Sequence, residues 1–252
     1  MIPDLGGRGQ IRLRQGSVLV VGAGGLGCPA AFYLAASGVG RLGIVDSDVV
    51  ELSNLQRQIL HTTKDLGHNK VESARTRLNA LNDDVTIETH ALHMTEENAP
   101  ELMRPYDFII DGSDNFETKF LVNDAAVSLG KPFSHAGIIR LQGQTMTVVP
   151  GQSACYRCLF HEPPPPGEIL GCQQAGILGA VGGTIGTLQA TEAIKYLIGL
   201  EDELLLNRLL TYDARAMNFR TIRLQRDPRC KVCGTKPKPS ELGAVASPRS
   251  EL

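Results

Sequence analysis

The sequence lacks the features by which membrane, secreted and nucleic-acid-binding proteins are usually recognised. No apolar run reaches the roughly 18 residues that a membrane span needs, and the first 15 residues contain no apolar core of a signal peptide. The formal net charge is only −2, which provides no general attraction to nucleic acid or to a membrane surface. We therefore expect a cytoplasmic protein that binds neither and that recognises its partner locally.

Size and composition indicate one large domain. The chain has 252 residues, 42% hydrophobic and 21% charged, which suffices for one full hydrophobic core but is short for two. The stretch after Thr235 is rich in proline, serine and charged residues and cannot bury a core of its own. We expect one domain over residues 1–235 and a disordered tail over residues 236–252.

Strand and helix patterns alternate through the first half of the chain. The patterns predict strands at 18–21, 41–46, 85–90 and 106–111, and helices from the first glycine-rich turn to Gly38, near 69–81 and near 117–129. Such βαβ units favour an α/β, Rossmann-like fold with a mostly parallel sheet and helices on both of its faces.

Antiparallel strands are expected in the second half. Strands are predicted at 132–136 and 144–149, and the link between them, residues 137–143, is too short for a crossover helix, so the two should pair antiparallel. A helix from near Gly182 to about Leu197 and strands at 205–212 and 219–224 follow. Arg8, Arg12 and Arg14 precede the first strand, and we expect their charged side chains to be exposed to solvent.

A nucleotide site is predicted at the first strand-to-helix turn. The turn fits G-x-G-x-x-G through Gly22, Gly24, Gly25 and Gly27, where backbone N–H groups can approach a phosphate at a helix N-terminus. Asp46 ends the next strand at the spacing of a carboxylate that binds ribose hydroxyls. Taken alone, this combination suits NAD as well as other nucleotides.

Three charged residues favour ATP over NAD. Arg57 lies in a polar loop, Lys70 begins the following helix, and Asp114 lies just past the fourth strand. Two cations and a carboxylate at the carboxyl ends of parallel strands suit a triphosphate with Mg²⁺ better than a nicotinamide. The chain has no G-x-x-x-x-G-K-[ST] motif, which argues against a P-loop kinase or GTPase.

Several motifs in order resemble the MoeB/ThiF family of adenylating enzymes. Residues 46–58 read D-S-D-V-V-E-L-S-N-L-Q-R-Q and are similar to the family signature, and K-V-E-S-A at 70–74 and G-S-D-N at 112–115 follow it. The resemblance covers nearly the whole chain, and it implies that residues 1–235 form an adenylation domain of this type.

The resemblance also assigns roles to individual residues. It implies that the motif glycines contact the nucleotide, that Asp46 binds ribose, that Asn54, Arg57 and Lys70 bind the phosphates, and that Asp114 binds Mg²⁺. Gln58 is a further candidate at the nucleotide. For Gln58, Asp48 and Asp111 a binding role and a purely structural role remain equally open.

The implied reaction is adenylation of a small ubiquitin-like sulfur-carrier protein of the MoaD, ThiS or Urm type. Its C-terminal Gly-Gly carboxylate would be joined to AMP with release of pyrophosphate, which replaces a poor leaving group by a good one. Arg57, Lys70 and Mg²⁺ on Asp114 would neutralise the developing phosphate charge. The resemblance further implies a homodimer and, because no rhodanese-like domain follows, a separate sulfurtransferase.

Four of the six cysteines form a predicted zinc site. Cys155 with Cys158 and Cys230 with Cys233 make two C-x-x-C pairs, and four thiolates suit tetrahedral Zn²⁺ in a closed structural site. Family members that this chain resembles share the split arrangement. Disulfides or redox chemistry of the pairs are the alternative.

A proline-rich segment, residues 161–174, carries another cysteine near its end. Its four consecutive prolines exclude a helix or a central strand and predict an exposed, semi-rigid crossover loop. Similarity to related activators makes Cys172 a candidate catalytic nucleophile or sulfur relay, the alternative being an exposed thiol without a function. Cys28, at the start of the first helix, is expected to be a small buried hydrophobic residue.

Two other functions are open at this point. An NAD-dependent oxidoreductase would use the glycine motif and Asp46 but would leave Arg57 and Lys70 unexplained. A scaffold that binds nucleotide and a ubiquitin-like protein without turnover is suggested by the lack of an R-Y-x-R-Q-like segment, from which relatives supply an arginine to the partner subunit's ATP. We expect Mg-ATP binding with poor adenylation if that arginine is missing.

Overall fold

The computed structural model describes residues 6–165 and 176–234. Its described residues form an eight-stranded sheet in the order β3-β2-β1-β4-β5-β6-β7-β8. The strands are β1 Ser17–Val21, β2 Arg41–Val45, β3 Thr86–His90, β4 Phe108–Asp111, β5 Phe133–Ile139, β6 Gln142–Val148, β7 Arg208–Asp213 and β8 Asn218–Arg223. Strands β1 to β5 are parallel to one another, and β6, β7 and β8 extend the sheet with antiparallel pairings from β5 onward. The expected α/β fold is confirmed.

Seven described α-helices connect or cover the strands. They are α1 Gly6–Gln15, α2 Gly27–Ser37, α3 Lys70–Leu81, α4 Ala99–Met103, α5 Phe116–Leu129, α6 Tyr156–Leu159 and α7 Gly179–Ile198. Three short 3₁₀ helices lie at Leu52–Asn54, Thr63–Asp65 and Glu201–Glu203. None of the described helices combines the length and apolar character that crossing a membrane requires.

The two faces of the sheet carry separate cores, because successive side chains of a strand point to opposite faces. Along β1, Val18 and Val20 pack in a cluster with α2, α3 and α7, whereas Leu19 and Val21 pack in a cluster with α4 and α5. Helices therefore cover both faces, as predicted. All five residues of β1 are buried, as expected for a central parallel strand.

The structure corrects three predictions of local structure. The link predicted over residues 137–143 is a two-residue turn, since β5 and β6 pair until Ile139 lies opposite Gln142, and Arg140 takes φ 52° to close it. No helix was predicted before β1, where the structure has α1, and α4 and α6 were not predicted either. α7 begins at Gly179, a few residues earlier than expected.

The arginines of α1 differ from one another. Arg12 donates a hydrogen bond to the carbonyl oxygen of Ile198 at the end of α7, at 2.5 Å, so it is not merely a solvated charge. Arg8 and Arg14 are exposed, as expected. Leu13 is 1% exposed and belongs to the core beneath α2 and α7, which explains why a glycine-containing segment forms a helix here.

Two predictions fall on residues outside the described ranges. Most of the proline-rich crossover loop, including Cys172, lies there, and so does the tail after residue 234. Residues 161–165, at the start of the loop, contain neither helix nor strand.

Candidate active site and metal centre

A cleft of about 760 Å³ opens where the carboxyl ends of β1, β2 and β4 meet. Open parallel sheets bind ligands at this edge, beside the point where the strand order reverses. The order β2-β1-β4 places that reversal at β1. The predicted residues that line the cleft are Gly22, Gly24, Gly25, Asp46, Arg57, Gln58, Lys70 and Asp114.

The glycine turn requires glycine at its first and last motif positions. Gly22 takes φ 93°, and a Cβ there would lie 2.9 Å from the carbonyl oxygen of Gly112. A Cβ on Gly27 would lie 1.8 Å from the carbonyl oxygen of Gly22, which is an impossible contact. Gly27 begins α2 and does not line the cleft, so its role in the structure is to close the turn.

Asp46 follows β2 and holds the turn in place. Its Oδ2 accepts from the Ala23 N–H at 2.8 Å, and its Oδ1 accepts from the Asp48 N–H at 2.9 Å. Burial raises the pKa of Asp46, although the Lys70 ammonium and these two backbone hydrogen bonds oppose the shift. The carboxylate therefore lies in a position to bind hydroxyl groups of a ligand seated over the turn.

The two predicted cations converge on the same cleft. Lys70 is 5% exposed, and its Nζ lies 2.7 Å from Asp48 Oδ2 and 3.8 Å from Asp46 Oδ1. Arg57 is partly exposed and donates from Nη1 to the Ser53 carbonyl oxygen at 3.0 Å. Both lie where they can meet phosphate oxygens that approach the glycine turn.

Asp111, the last residue of β4, and Asp114, three residues later, have different surroundings. Asp114 is exposed at the cleft and forms no ion pair within the described ranges, so its carboxylate is available to a cation. Asp111 is fully buried and contacts Lys119, His135 and Ser113. The Asp111 carboxylate is thus engaged by protein groups, which favours the structural role of the two that were left open.

Of the two predicted amide ligands, Gln58 lines the cleft and Asn54 does not. Asn54 is buried outside the cleft lining, and its Oδ1 accepts from the Glu51 N–H at 3.1 Å as it caps a 3₁₀ helix. The structure therefore does not bring this side chain together with the other predicted ligands. Gln58 lines the cleft, is 4% exposed, and its Oε1 has no hydrogen-bond partner among the described residues.

Among the cleft residues that sequence reasoning missed are Lys119, His135 and Tyr156. Lys119 Nζ donates to the carbonyl oxygens of Ser113 and Ala136, both at 2.6 Å, and so joins α5 to the strand ends. His135 donates from Nδ1 to Asp111 at 2.8 Å. The only signal in the sequence was indirect: Lys119 follows the G-S-D-N motif by one helical turn, and Tyr156 lies inside a C-x-x-C pair.

The four paired cysteines come together as predicted. The sulfur atoms of Cys155, Cys158, Cys230 and Cys233 all lie within 4.8 Å of one another. Neighbouring sulfurs are 3.3 to 3.9 Å apart, far from the roughly 2 Å of a disulfide and near the roughly 3.8 Å edge of a Zn–S tetrahedron. The donor set therefore fits a zinc ion with no position left open for catalysis.

The cluster is tied to the cleft by the helix that carries its first pair. The Tyr156 N–H donates to Asn123 Oδ1 at 2.8 Å, and Arg157 bonds Asp124 through two nitrogens, so α6 is held on α5. The Tyr156 ring packs on the His135 imidazole with centroids 4.2 Å apart. Cys28, by contrast, is buried at 0% exposure, as expected, and burial raises the pKa of its thiol to about 12.

Comparison with known proteins identifies relatives along nearly the whole chain. Residues 1–232 match the model of the ThiF family. The chain is 48% identical to a sulfur carrier protein adenylyltransferase of Thermus thermophilus, with 96% of this chain and 91% of that protein covered. It is 46% identical to the adenylyltransferase and sulfurtransferase MOCS3 of Anopheles gambiae and 47% identical to the probable adenylyltransferase/sulfurtransferase MoeZ of Mycobacterium tuberculosis. It covers 55% and 61% of those two longer proteins.

Solved structures with the same fold include E. coli MccB. A crystal structure of MccB with ATP superposes with a TM-score of 0.78 at 25% identity, covering 90% of this chain and 68% of MccB. A structure of the same microcin C7 biosynthetic enzyme with N-formylated MccA gives a TM-score of 0.80 at 25% identity, over 90% of this chain and 70% of that one.

Proposed function

The chain belongs to the ThiF family, and we propose that it uses ATP to adenylate the C-terminal glycine carboxylate of a ubiquitin-like sulfur-carrier protein. The observation that carries the proposal is the convergence of Arg57, Lys70 and Asp114 with the glycine turn and Asp46 in one cleft. The names of the relatives in Thermus, Anopheles and Mycobacterium support the reaction class. The ATP in the similar MccB structure supports the nucleotide.

In this proposal the carrier carboxylate attacks the α-phosphorus of ATP. A carboxylate oxygen forms the new P–O bond, and the bond between the α-phosphorus and the bridging oxygen of pyrophosphate breaks, so no proton need be transferred. Asp46 binds the ribose, and Arg57 and Lys70 neutralise the phosphate charge. Asp114 would hold Mg²⁺, which supplies further positive charge to the phosphates when it is bound.

Lys70 changes its partner in this scheme. In the structure its ammonium is paired with the exposed carboxylate of Asp48, whose side chain is 66% exposed. Incoming phosphate would compete with Asp48 for the same cation, which is buried and therefore well placed to bind a second anion strongly. Asp48 then serves to orient the Lys70 side chain before ATP arrives.

We extend the proposal to the whole chain on the same support. Residues 1–235 form one adenylation domain, Cys155, Cys158, Cys230 and Cys233 hold a structural Zn²⁺, and the protein acts as a homodimer. The sulfur comes from a sulfurtransferase activity such as the names of the MOCS3 and MoeZ relatives include, and the carrier belongs to molybdopterin, thiamine or tRNA-thiolation chemistry. The oxidoreductase alternative loses support because it gives Arg57 and Lys70 no task.

Replacement of Asp114 by alanine tests the function. We expect carrier-dependent exchange between ATP and pyrophosphate to fall about 100-fold or more, since Asp114 holds the proposed cation and makes no core contact. The matched control is Asp83→Ala, an exposed aspartate after α3 and away from the cleft. Equal exchange in both variants would remove Asp114 from the mechanism. Wild-type protein that binds ATP without exchange would favour the scaffold, and reduction of NAD would favour the oxidoreductase.

A further inference from the structure

His135 is a buried side chain of the cleft that the proposed chemistry leaves without a task. It lies on β5 directly opposite Asp111 of β4 in the parallel register. It is 1% exposed, yet it lines the cleft. Its Nε2 has no hydrogen-bond partner among the described residues.

The surroundings of the imidazole determine which nitrogen carries the proton. Burial alone would raise the pKa of Asp111, but the Lys119 ammonium and the hydrogen bonds from His135 and Ser113 outweigh it and hold this pKa at about 2. The ionised carboxylate accepts a hydrogen bond from Nδ1–H at 2.8 Å. Burial lowers the pKa of His135 below its ordinary value of about 6.5; the hydrogen bond and charge of Asp111 oppose this shift and Lys119 adds to it, so the ring is neutral at neutral pH. Its Nε2 is therefore an acceptor that carries no proton.

The ring cannot easily turn away from this arrangement. Tyr156 packs on it with ring centroids 4.2 Å apart, and Phe120 packs edge-on against Tyr156 at 4.9 Å. Tyr156 is in turn held by the hydrogen bond from its N–H to Asn123. A buried acceptor without a partner is unfavourable, and unsatisfied polar atoms in native structures are typically completed by a ligand, water or ion.

The order of the strands indicates which ligand lies beside His135. Asp46 follows β2, the glycine turn follows β1, and His135 lies on β5. In the order β2-β1-β4-β5 the strands of Asp46 and His135 are therefore three strand spacings of about 4.8 Å apart. With the ribose at Asp46 and the phosphates over the turn, His135 lies beyond the nucleotide. On that side the cleft continues along Gln144, Thr211 and Arg220, where the acyl substrate has room to approach.

We propose that His135 is a substrate-binding residue whose Nε2 accepts a hydrogen bond from a backbone N–H of the carrier's C-terminal Gly-Gly segment. Glycine has no side-chain donor, so the backbone N–H is the one donor that such a tail can offer. The contact orients the terminal carboxylate toward the α-phosphorus and leaves ATP untouched. This inference rests on the proposed adenylation of a carrier.

The test combines two substitutions at His135 with two forms of a carrier that supports exchange in the wild-type protein. Glutamine keeps a donor for Asp111 and an acceptor for the tail, whereas phenylalanine keeps the ring volume without either. The second form of the carrier is prepared by ligation with the amide N–H of the last or the penultimate glycine replaced by an ester oxygen. It retains the free carboxylate.

For His135→Phe we expect the KM for the carrier to rise about tenfold while the KM for ATP changes less than twofold. His135→Gln should restore most of the loss. With the wild-type protein, the KM for the ester carrier should exceed that for the amide carrier by a similar factor. With His135→Phe, the two carriers should have the same KM. A merely structural histidine would not produce this interaction between the two changes.

Other outcomes contradict the inference in distinct ways. If the ester lowers activity equally in wild type and His135→Phe, or in neither, Nε2 does not accept from the tail. If the KM for ATP rises instead, His135 acts on the nucleotide. If His135→Phe unfolds, the ¹⁵N chemical shift of His135 Nε2 is measured in the wild-type protein with and without the carrier. The proposal expects the carrier to change this shift, and an unchanged shift overturns it. Absence of exchange in the wild type itself would count against the proposed function instead.

Discussion

At the scale of single residues, the glycine turn depends on a side chain outside the cleft. His61 lies 3.1 Å from the Ala23 carbonyl oxygen through Nε2 and 2.8 Å from Ser73 Oγ through Nδ1. The Ala23 N–H is held by Asp46. Ser73 lies one helical turn after Lys70, so His61 joins the glycine turn to the helix that carries the buried Lys70.

Substitution of His61 should therefore weaken ATP binding selectively. We expect His61→Leu to raise the KM for ATP about tenfold, because it removes the donor to Ala23, and to leave the KM for the carrier within twofold. His61→Gln, which keeps an N–H donor, should retain most of the affinity. The control is His68→Leu at an exposed histidine of the same segment. A uniform rise of both constants in His61→Leu would mean that the residue only supports the fold.

At the scale of secondary-structure elements, the cysteine cluster joins the end of the described chain to the cleft wall. The short helix α6 carries Cys155, Tyr156 and Cys158, and the segment after β8 brings Cys230 and Cys233 to it. Beyond the sulfurs, the contacts of that segment within the described residues include the Asp227 N–H, which donates to Cys158 Sγ at 3.4 Å, Arg226, which bonds the carbonyl oxygens of Gly151 and Cys233, and an exposed ion pair of Lys231 with Glu162 at 2.8 Å.

Removal of the metal should loosen this region before the rest of the molecule. After treatment with a strong chelator we expect faster hydrogen exchange in residues 225–234 and in α6, with β1 and β4 still protected, because the proposed zinc ion would supply most of the local folding energy. Since α6 carries Tyr156, the KM for the carrier should rise before the KM for ATP. If the hydrogen-exchange rates of residues 225–234 and α6 do not change after chelation, protein contacts alone hold these residues in place.

At the scale of the whole molecule, two buried neutral histidines make stability depend on pH. Burial lowers the pKa of both His61 and His135 below the ordinary value of about 6.5 that each regains on unfolding. Between the folded and unfolded pKa values the unfolded chain binds more protons, so stability rises with pH there. The stabilisation is complete above about pH 6.5 and is lost as pH falls below it.

We expect the free energy of unfolding to be lower at pH 5.5 than at pH 7.5, by at most about 1.4 kcal/mol per histidine, which is the limit for a group of pKa about 6.5 that titrates only in the unfolded chain. Urea unfolding at the two pH values measures it, and the double variant His61→Gln, His135→Gln should lose most of the difference. Asp111, with a pKa of about 2, affects stability only below about pH 4 and stays outside this window. If the double variant keeps the full pH dependence of the free energy of unfolding, groups other than His61 and His135 are responsible for it.

Much of the fold was predictable because its signals are local. Periodicity placed the strands and larger helices within a few residues, and the short link after residue 136 predicted the antiparallel pairing of β5 with β6. The exceptions are segments whose own sequence is ambiguous: α1 contains three glycines among its residues and forms a helix because Leu13 enters a core made by distant elements.

The sequence by itself determined the chemistry of the ends of β1, β2 and β4 and the four sulfur ligands, because turn geometry, motif order and paired spacing depend on neighbours in the chain. Only the tertiary structure decided that the Asn54 side chain accepts from the Glu51 N–H in the capping box of a 3₁₀ helix, and that Asp111, His135 and Tyr156 form one buried assembly. Asp111 and His135 are 24 residues apart. They meet through the register of two strands, which depends on the packing of the whole sheet.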